Sequence, residues 1–171
     1  IADMIHPLSA PNEIKHSLIE SEAKVLILYD ANYEKYKDII KETNVQKTVT
    51  LSVSESMPIR TQIGYQILKG FKIKKAPKED KSYLSWKEFI SFGKLYHKNI
   101  TNGNFRARDL AIILHSGGTT GSPKGIMISN YNFNALAIQG KLVVNKVKPK
   151  DRIMTILPIF HGFGLGVVTH C

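Results

Sequence analysis

A single cysteine, Cys171, leaves this chain unable to close a disulfide on itself, which fits a reducing compartment. No apolar run approaches the ~20 residues a helix needs to cross a bilayer. The opening IADMIHPLSAPNEI lacks the basic-then-apolar order of a secretory signal. No biased tract and no internal repeat interrupts the 171 residues, and 43% hydrophobic with 22% charged residues is the composition of a folded chain. Arginine is scarce too: Arg60, Arg106, Arg108 and Arg152 are all there is among 24 Lys and Arg, which face 14 Asp and Glu and leave a net charge of +10. A basic balance points to nucleic acid, a membrane surface or anionic small molecules. Base-reading proteins favour the bidentate arginine fork, so the lysine excess sets nucleic acid aside. The expectation is a cytoplasmic protein with no nucleic-acid partner.

What is present reads as α/β. PNEIKHSLIESEA carries Ile14, Leu18 and Ile19 at helical spacing, with Pro11 and Asn12 as its start. KVLILY (24–29) is an apolar run of strand length, expected to be buried on both faces. NYEKYKDIIKET reads as a helix with Tyr33, Tyr36, Ile39 and Ile40 on one side, and VQKTVTLSV (45–53) as a strand. Helix, strand, helix, strand implies parallel βα units. Residues 58–72 space Ile59, Ile63, Ile67 and Phe71 by four and predict a further helix. The lysine-dense 69–81 reads as a solvated surface loop, with peripheral contact to anionic lipid as its sharper alternative. YLSWKEFISFGKLY (83–96) predicts an amphipathic helix capped by Ser85, with Trp86, Phe89, Ile90 and Leu95 facing inward. DLAIILHS (109–116) and GIMIS (125–129) predict strands. SNYNFNALAIQGKLVV predicts a helix capped by Ser129 or Asn130. DRIMTILPIFHGFG (151–164) predicts a strand, a break at Pro158 and a glycine-rich turn.

Between the strands at 109–116 and 125–129 lies HSGGTTGSPKG. Glycines let amide N–H groups crowd a ligand, and successive N–H groups form an anion-binding concavity. Ser116, Thr119 and Thr120 add hydroxyls that can also ligate a hard cation, and Lys124 adds a point charge suited to phosphate. A strand feeding such a loop puts it at the carboxyl edge of a parallel sheet, where α/β proteins bind ligands. The residues alone thus read as a loop for nucleotide phosphates. It is not the ordinary P-loop, because Pro123 precedes Lys124 and a strand-like segment follows, nor does a GxGxxG open a helix here.

HSGGTTGSPKG (115–125) resembles the phosphate-loop signature of adenylate-forming enzymes, [YF]-[TS]-[SG]-G-[ST]-T-G-x-P-K-G. That family holds acyl-CoA synthetases, aryl-CoA ligases, luciferases and peptide-synthetase adenylation domains. Thr119, Thr120, Gly121, Pro123, Lys124 and Gly125 fall in register. His115 stands where an aromatic is usual, and Gly117 where serine is common, a variant similar to fatty acyl-CoA ligases. LPIFHGFGLG (157–166) resembles the downstream LPLFHxxG segment of acyl- and aryl-CoA synthetases, and HPLSAPNEIKHSLIESEAKVLI resembles the family's PLNP…EL…IL..S.AK.LI stretch. An Asp that would hold a substrate amine is absent from the region, which argues against an amino-acid substrate. His6, His16, His97 and His170 share no metal-ligand spacing with His161 and read as structural or exposed.

The resemblance implies an ATP-dependent, AMP-forming ligase. A carboxylate, a fatty acid first among the candidates, attacks the α-phosphate of ATP, and coenzyme A then displaces AMP. Ser116, Gly117, Gly118, Thr119, Thr120 and Gly121 would hold the phosphates, Thr119 would meet Mg²⁺, and Lys124 would neutralise departing pyrophosphate. His161 would border the acyl carboxylate, with Phe163 and Gly164 shaping its pocket. Aryl-CoA ligase, carrier-protein acyl ligase and a non-catalytic nucleotide- or acyl-binding module are the alternatives. Residue 1 is Ile, and the final GFGLGVVTHC stops within an apolar pattern. The expectation is therefore one partial N-terminal AMP-binding domain over 1–171, with βα units at 1–56, a helical and basic connection at 57–100, and the loop and acyl segment at 101–171. The C-terminal lid would lie elsewhere in the remainder of the chain, and this segment alone would be inactive.

Overall fold

The computed structural model describes residues 1–68, 70–74, 76–77, 79–96, 103–116, 123–144, 148, 150–152, 154 and 156–170. Its elements are β1 (Ala2–Met4), α1 (Pro11–Glu20), β2 (Val25–Tyr29), α2 (Tyr33–Lys41), β3 (Lys47–Leu51), α3 (Ile59–Leu68), β4 (Tyr83–Ser85), α4 (Trp86–Tyr96), β5 (Leu110–His115), β6 (Gly125–Ser129), α5 (Asn130–Val143) and a final π-helix (Gly164–His170). They fall into two compact units, residues 10–102 and residues 1–9 with 103–171.

In the unit spanning 10–102 the expected βα rhythm builds a wholly parallel sheet in the order β2-β3-β4. Ile14 and Leu18 of α1, Tyr33, Tyr36 and Ile40 of α2, and Leu28 and Val49 of the strands are its buried apolar residues. Their spacing of three and four on the helices is the stripe that must face a core. α1 opens with Pro11 in its first turn, where a missing N–H costs nothing. Ala10 offers no side-chain acceptor, so the Glu13 carboxylate takes its N–H instead, at 3.1 Å. The helix ends in a Schellman motif: Glu22 N–H donates to the Ile19 carbonyl and Ala23 N–H to that of Leu18, both at 3.1 Å. Glu22 sits at φ 50°, the left-handed position that glycine normally fills.

Four expectations need correcting here. KVLILY is covered on one face only within its unit: Leu28 is buried, while Val25 and Ile27 are 53% and 55% exposed. A continuous apolar run has no period, so nothing in it distinguishes one face from the other. The helix at 58–72 stops at Leu68, and Gly70–Lys72 turn as a 3₁₀ segment. Ile59, Ile63 and Ile67 are exposed. Tyr83–Ser85 pair with β3 as a strand, so α4 starts at Trp86. Ser85 still caps it: Glu88 N–H donates to Ser85 Oγ at 3.3 Å, and Ser85 N–H to Glu88 Oε2 at 2.8 Å. Trp86 is half-buried, but Phe89, Ile90 and Leu95 are exposed, Leu95 at 73%.

In the unit of residues 1–9 and 103–171 the sheet order is β1-β5-β6. β1 runs parallel to β5, and β6 returns antiparallel with a register shift between Leu110 and Ile112. Asn132 N–H donates to Ser129 Oγ at 3.3 Å, which starts α5 at the residue the sequence points to. The strand expected within 151–164 is not formed among the described residues, of which Ile153 and Thr155 are not part. Gly166 brings the π-helix against α5: a Cβ there would lie 2.6 Å from Leu136 Cδ2.

Two outcomes follow for unfolding experiments. Glu22→Gly should raise the urea midpoint, stabilising by about 1 kcal/mol, because the left-handed penalty of a Cβ disappears. Tyr83 is half-buried, but its hydroxyl is buried with no hydrogen-bond partner among the described residues, and this burial raises its pKa above the ordinary value. The unfolded chain then loses this proton first, so stability contributed below the unfolded value, near pH 10, is lost as pH rises through the raised native value. Tyr83→Phe should flatten that alkaline decline without lowering stability at neutral pH, as read by melts across pH 8–11.

Candidate nucleotide site

Ligands of open α/β sheets bind beyond the carboxyl ends of parallel strands. β1 and β5 run out at such an edge, with Met4 beside Leu114. β6 then starts antiparallel with Gly125 opposite His115, so the chain returns along β5 as a strand and does not enter a helix there. The mouth of the connection is held by Ser116 N–H donating to the Lys124 carbonyl at 3.0 Å, and Lys124 N–H lies 3.4 Å from Ser116 Oγ. Gly125 must stay small, since a Cβ there would come within 3.1 Å of Ile113 Cγ2. Lys124 is exposed, and among the described residues its ammonium makes no ion pair. Gly117, Gly118, Thr119, Thr120 and Gly121 lie outside the described residues.

The segment after Pro158 reaches the same edge. A Cβ on Gly162 would lie 3.2 Å from Leu114 Cδ1. His161 N–H donates to the Pro158 carbonyl at 3.1 Å, and the His161 carbonyl accepts from Leu165 N–H at 2.9 Å. This bond opens the final helix. The His161 ring is exposed, 5.5 Å from Phe160 and 6.4 Å from His6, and His6 in turn meets Phe160 edge-on at 4.5 Å. Leu8 N–H donates to His6 Nδ1 at 3.0 Å and fixes that ring. Phe163 is 61% exposed. Gly164 is buried where a Cβ would overlap the Pro158 carbonyl oxygen, so the turn itself demands glycine there.

One feature of this edge is a buried polar contact: His115 Nε2 lies 2.6 Å from Asp3 Oδ1. The other depression of note, about 330 Å³ and lined among others by Tyr29, Ser52, Glu55 and Trp86, belongs to the 10–102 unit. It holds a carboxylate and no cation, which does not suit phosphate. Among the described residues no cluster of three or more His, Cys, Asp or Glu could hold a metal, and no helix is long and apolar enough to cross a membrane.

Residues 1–171 match the AMP-binding enzyme family from end to end. The chain belongs to that family. It is 24% identical over 164 residues to a long-chain-fatty-acid–CoA ligase of Salmonella typhimurium, covering 94% of this chain and 29% of that protein. It is 28% identical over 178 residues to a probable 4-coumarate–CoA ligase 3 of Dictyostelium discoideum, covering 96% and 28%. The crystal structure of an anthranilate CoA ligase in complex with anthranoyl-AMP shares the fold, with a TM-score of 0.65 at 22% identity over 97% of this chain and 27% of that one. The chain thus spans under a third of the length of these curated relatives.

Sequence reading of this AMP-binding chain singled out Ser116, Lys124 and the segment around His161, which the structure brings to one strand edge. It passed over Asp3 and read His6 as structural or exposed. The one available signal was His115 in an aromatic's place. A polar residue at a strand end needs a partner when it is half-buried or deeper.

Gly164→Ala should destabilise by about 2 kcal/mol, the cost of forcing a methyl into occupied space. A denaturant melt of this variant beside Gly166→Ala, whose neighbour is a movable leucine methyl, should show the larger loss at 164.

Proposed function

We propose that this chain carries the nucleotide- and acyl-binding part of an ATP-dependent, AMP-forming acid–thiol ligase whose substrate is a carboxylic acid, first of all a fatty acid. One observation carries the reading: the glycine- and hydroxyl-rich sequence 116–124, ending in Lys124 with no ion pair among the described residues, follows the carboxyl edge of a parallel strand pair in a chain matched throughout by the AMP-binding family. The name of the Salmonella relative favours a fatty acid, and those of the Dictyostelium relative and the anthranilate ligase favour an aryl acid as the second reading.

In this reading the Ser116 hydroxyl and the loop residues Gly117, Gly118, Thr119, Thr120 and Gly121 bind the phosphates of ATP. Lys124 supplies positive charge where pyrophosphate departs, and the reaction depends on positioning and charge neutralisation. Among the described residues, the Ser116 hydroxyl and the Lys124 ammonium, which makes no ion pair, suit a polyphosphate. Thr119 would hold Mg²⁺, which supplies further neutralisation of phosphate charge. His161 borders the acyl carboxylate, with Phe163 on the open side and Gly164 permitting the turn that presents them. Coenzyme A is the acceptor, and a carrier-protein thiol is the alternative. A C-terminal lid and the remaining site residues belong to the rest of a longer polypeptide, so residues 1–171 alone would not turn over.

A cytoplasmic setting is part of the proposal and goes with the single cysteine. Contact of the 69–81 lysines with anionic lipid is a further part of the proposal, although Lys74 already faces Glu34 at 3.5 Å. That pairing, led by the stronger bond from Lys37, holds the Glu34 carboxyl below its ordinary pKa.

The full-length protein that contains this segment should exchange pyrophosphate into ATP only when a carboxylic acid is present. Lys124→Ala should cut that exchange about 10²-fold, the scale of losing one charge-stabilising donor. Residues 1–171 alone should show none. No exchange by the full-length protein with any fatty or aryl acid would end the ligase reading, and wild-type exchange by Lys124→Ala would remove that lysine from the reaction.

A further inference from the structure

Asp3 and His115 have no part in the chemistry above, yet they are the most deeply placed ionisable pair at the site. Strand register brings them together. Asp3 stands beside Ile113 in the parallel ladder, and His115 follows two residues later, so their side chains leave the sheet on one face. Nε2 of His115 lies 2.6 Å from Oδ1 of Asp3, and the side chains are only 12% and 11% exposed. His115 Nδ1 and Asp3 Oδ2 are buried as well, with no hydrogen-bond partner among the described residues. The whole orientation of each side chain thus hangs on a single short bond, of the carboxylate-assisted kind that is strong and directional.

That bond sits at a mechanically decisive place. β1 is three residues long and, among the described residues, pairs only with β5. His115 ends β5, and the next residue is Ser116, whose N–H meets Lys124 across the loop mouth. Where the family signature carries an aromatic ring, this chain carries an imidazole bonded to a residue of the neighbouring strand.

We propose that Asp3 and His115 form a positioning pair, in which Asp3 fixes the His115 ring and so fixes the backbone from which Ser116 and the phosphate loop depart. Neither residue touches the reacting atoms. The inference rests on the nucleotide reading of the loop, and it concerns what aligns that loop.

The test uses the full-length protein, with ATP binding by equilibrium dialysis and ATP–pyrophosphate exchange as readouts. Asp3→Asn and His115→Gln should each weaken ATP binding and raise the KM for ATP about tenfold, the equivalent of one modest polar interaction. The KM for the carboxylic acid and kcat should stay within about twofold, because the acyl side is not supported by the pair. The double variant should be no worse than either single one, as expected of two groups acting as a unit. Unchanged ATP affinity, equal losses in all parameters, or additive losses would overturn the pairing. If the single variants do not fold, Asp3→Val with His115→Leu replaces the pair by apolar groups that carry no ring, a change that buried ion pairs often tolerate. A folded protein with weakened ATP binding then supports the proposal, and one with wild-type binding overturns it. The wild type separates the two readings. If it binds ATP and the variants bind equally well, only the pair's role fails. If it neither binds ATP nor exchanges pyrophosphate, the ligase reading fails and takes the pair with it.

Discussion

The parallel registration of β1 beside β5 sets what can happen at this site. Three residues near the start of the chain are laid against a strand that begins about a hundred residues later, Ala2 beside Ile112 and Met4 beside Leu114. Closing so long a loop is entropically slow, though its cost grows only with the logarithm of length. Its result is local. The carboxyl ends of both strands point the same way, so whatever follows each strand is delivered to one edge. After β1 that is His6, and after β5 it is Ser116. A slip of one residue would turn Asp3 to the other face, away from His115.

Sterics narrow that edge from two sides. Gly125 starts β6 where a side chain would crowd Ile113, and Gly162 brings the following segment onto Leu114. Gly164 accepts the Pro158 carbonyl at a distance no Cβ permits. Glycine is used in these three places for close approach, and not for unusual backbone angles, since none of the described glycines has a positive φ. The glycines in the loop itself serve a different purpose in the proposed function, the exposure of amides to an anion.

Local rules account for what the sequence disclosed of this fold. The Ser85 and Ser129 caps span three residues, and capping chemistry operates over that distance. The βα rhythm of residues 11–51 follows from apolar spacing, and it gave the parallel sheet. The boundaries of the loop, His115 and Gly125, follow from the change of apolar strand to glycine and back. β4 was illegible because Tyr-Leu-Ser continues the helical pattern after it, and only pairing with β3 makes it a strand. The one-sided cover of β2 was illegible because its run of apolar residues has no alternation. Asp3 was illegible as part of the site because its partner lies 112 positions away. His6 was illegible for the same reason, since its ring neighbours are Phe160 and His161.

These long-range pairings also determine where positive charge is available. His6 accepts the Leu8 N–H at Nδ1, which ties its ring to the backbone. His115 is committed to Asp3, and any charge on it is answered by a carboxylate at 2.6 Å. Arg106 and Arg108 lie before β5, at the end of the strand opposite the loop. Lys124 is then the cation placed at the mouth with no described carboxylate to neutralise it. The net charge of +10 says little about function by itself. Among the described residues, an anion arriving at this edge would meet the Lys124 ammonium beside the Ser116 hydroxyl. Charge-assisted hydrogen bonding to phosphate is strongest in that arrangement, and the proposed function depends on it.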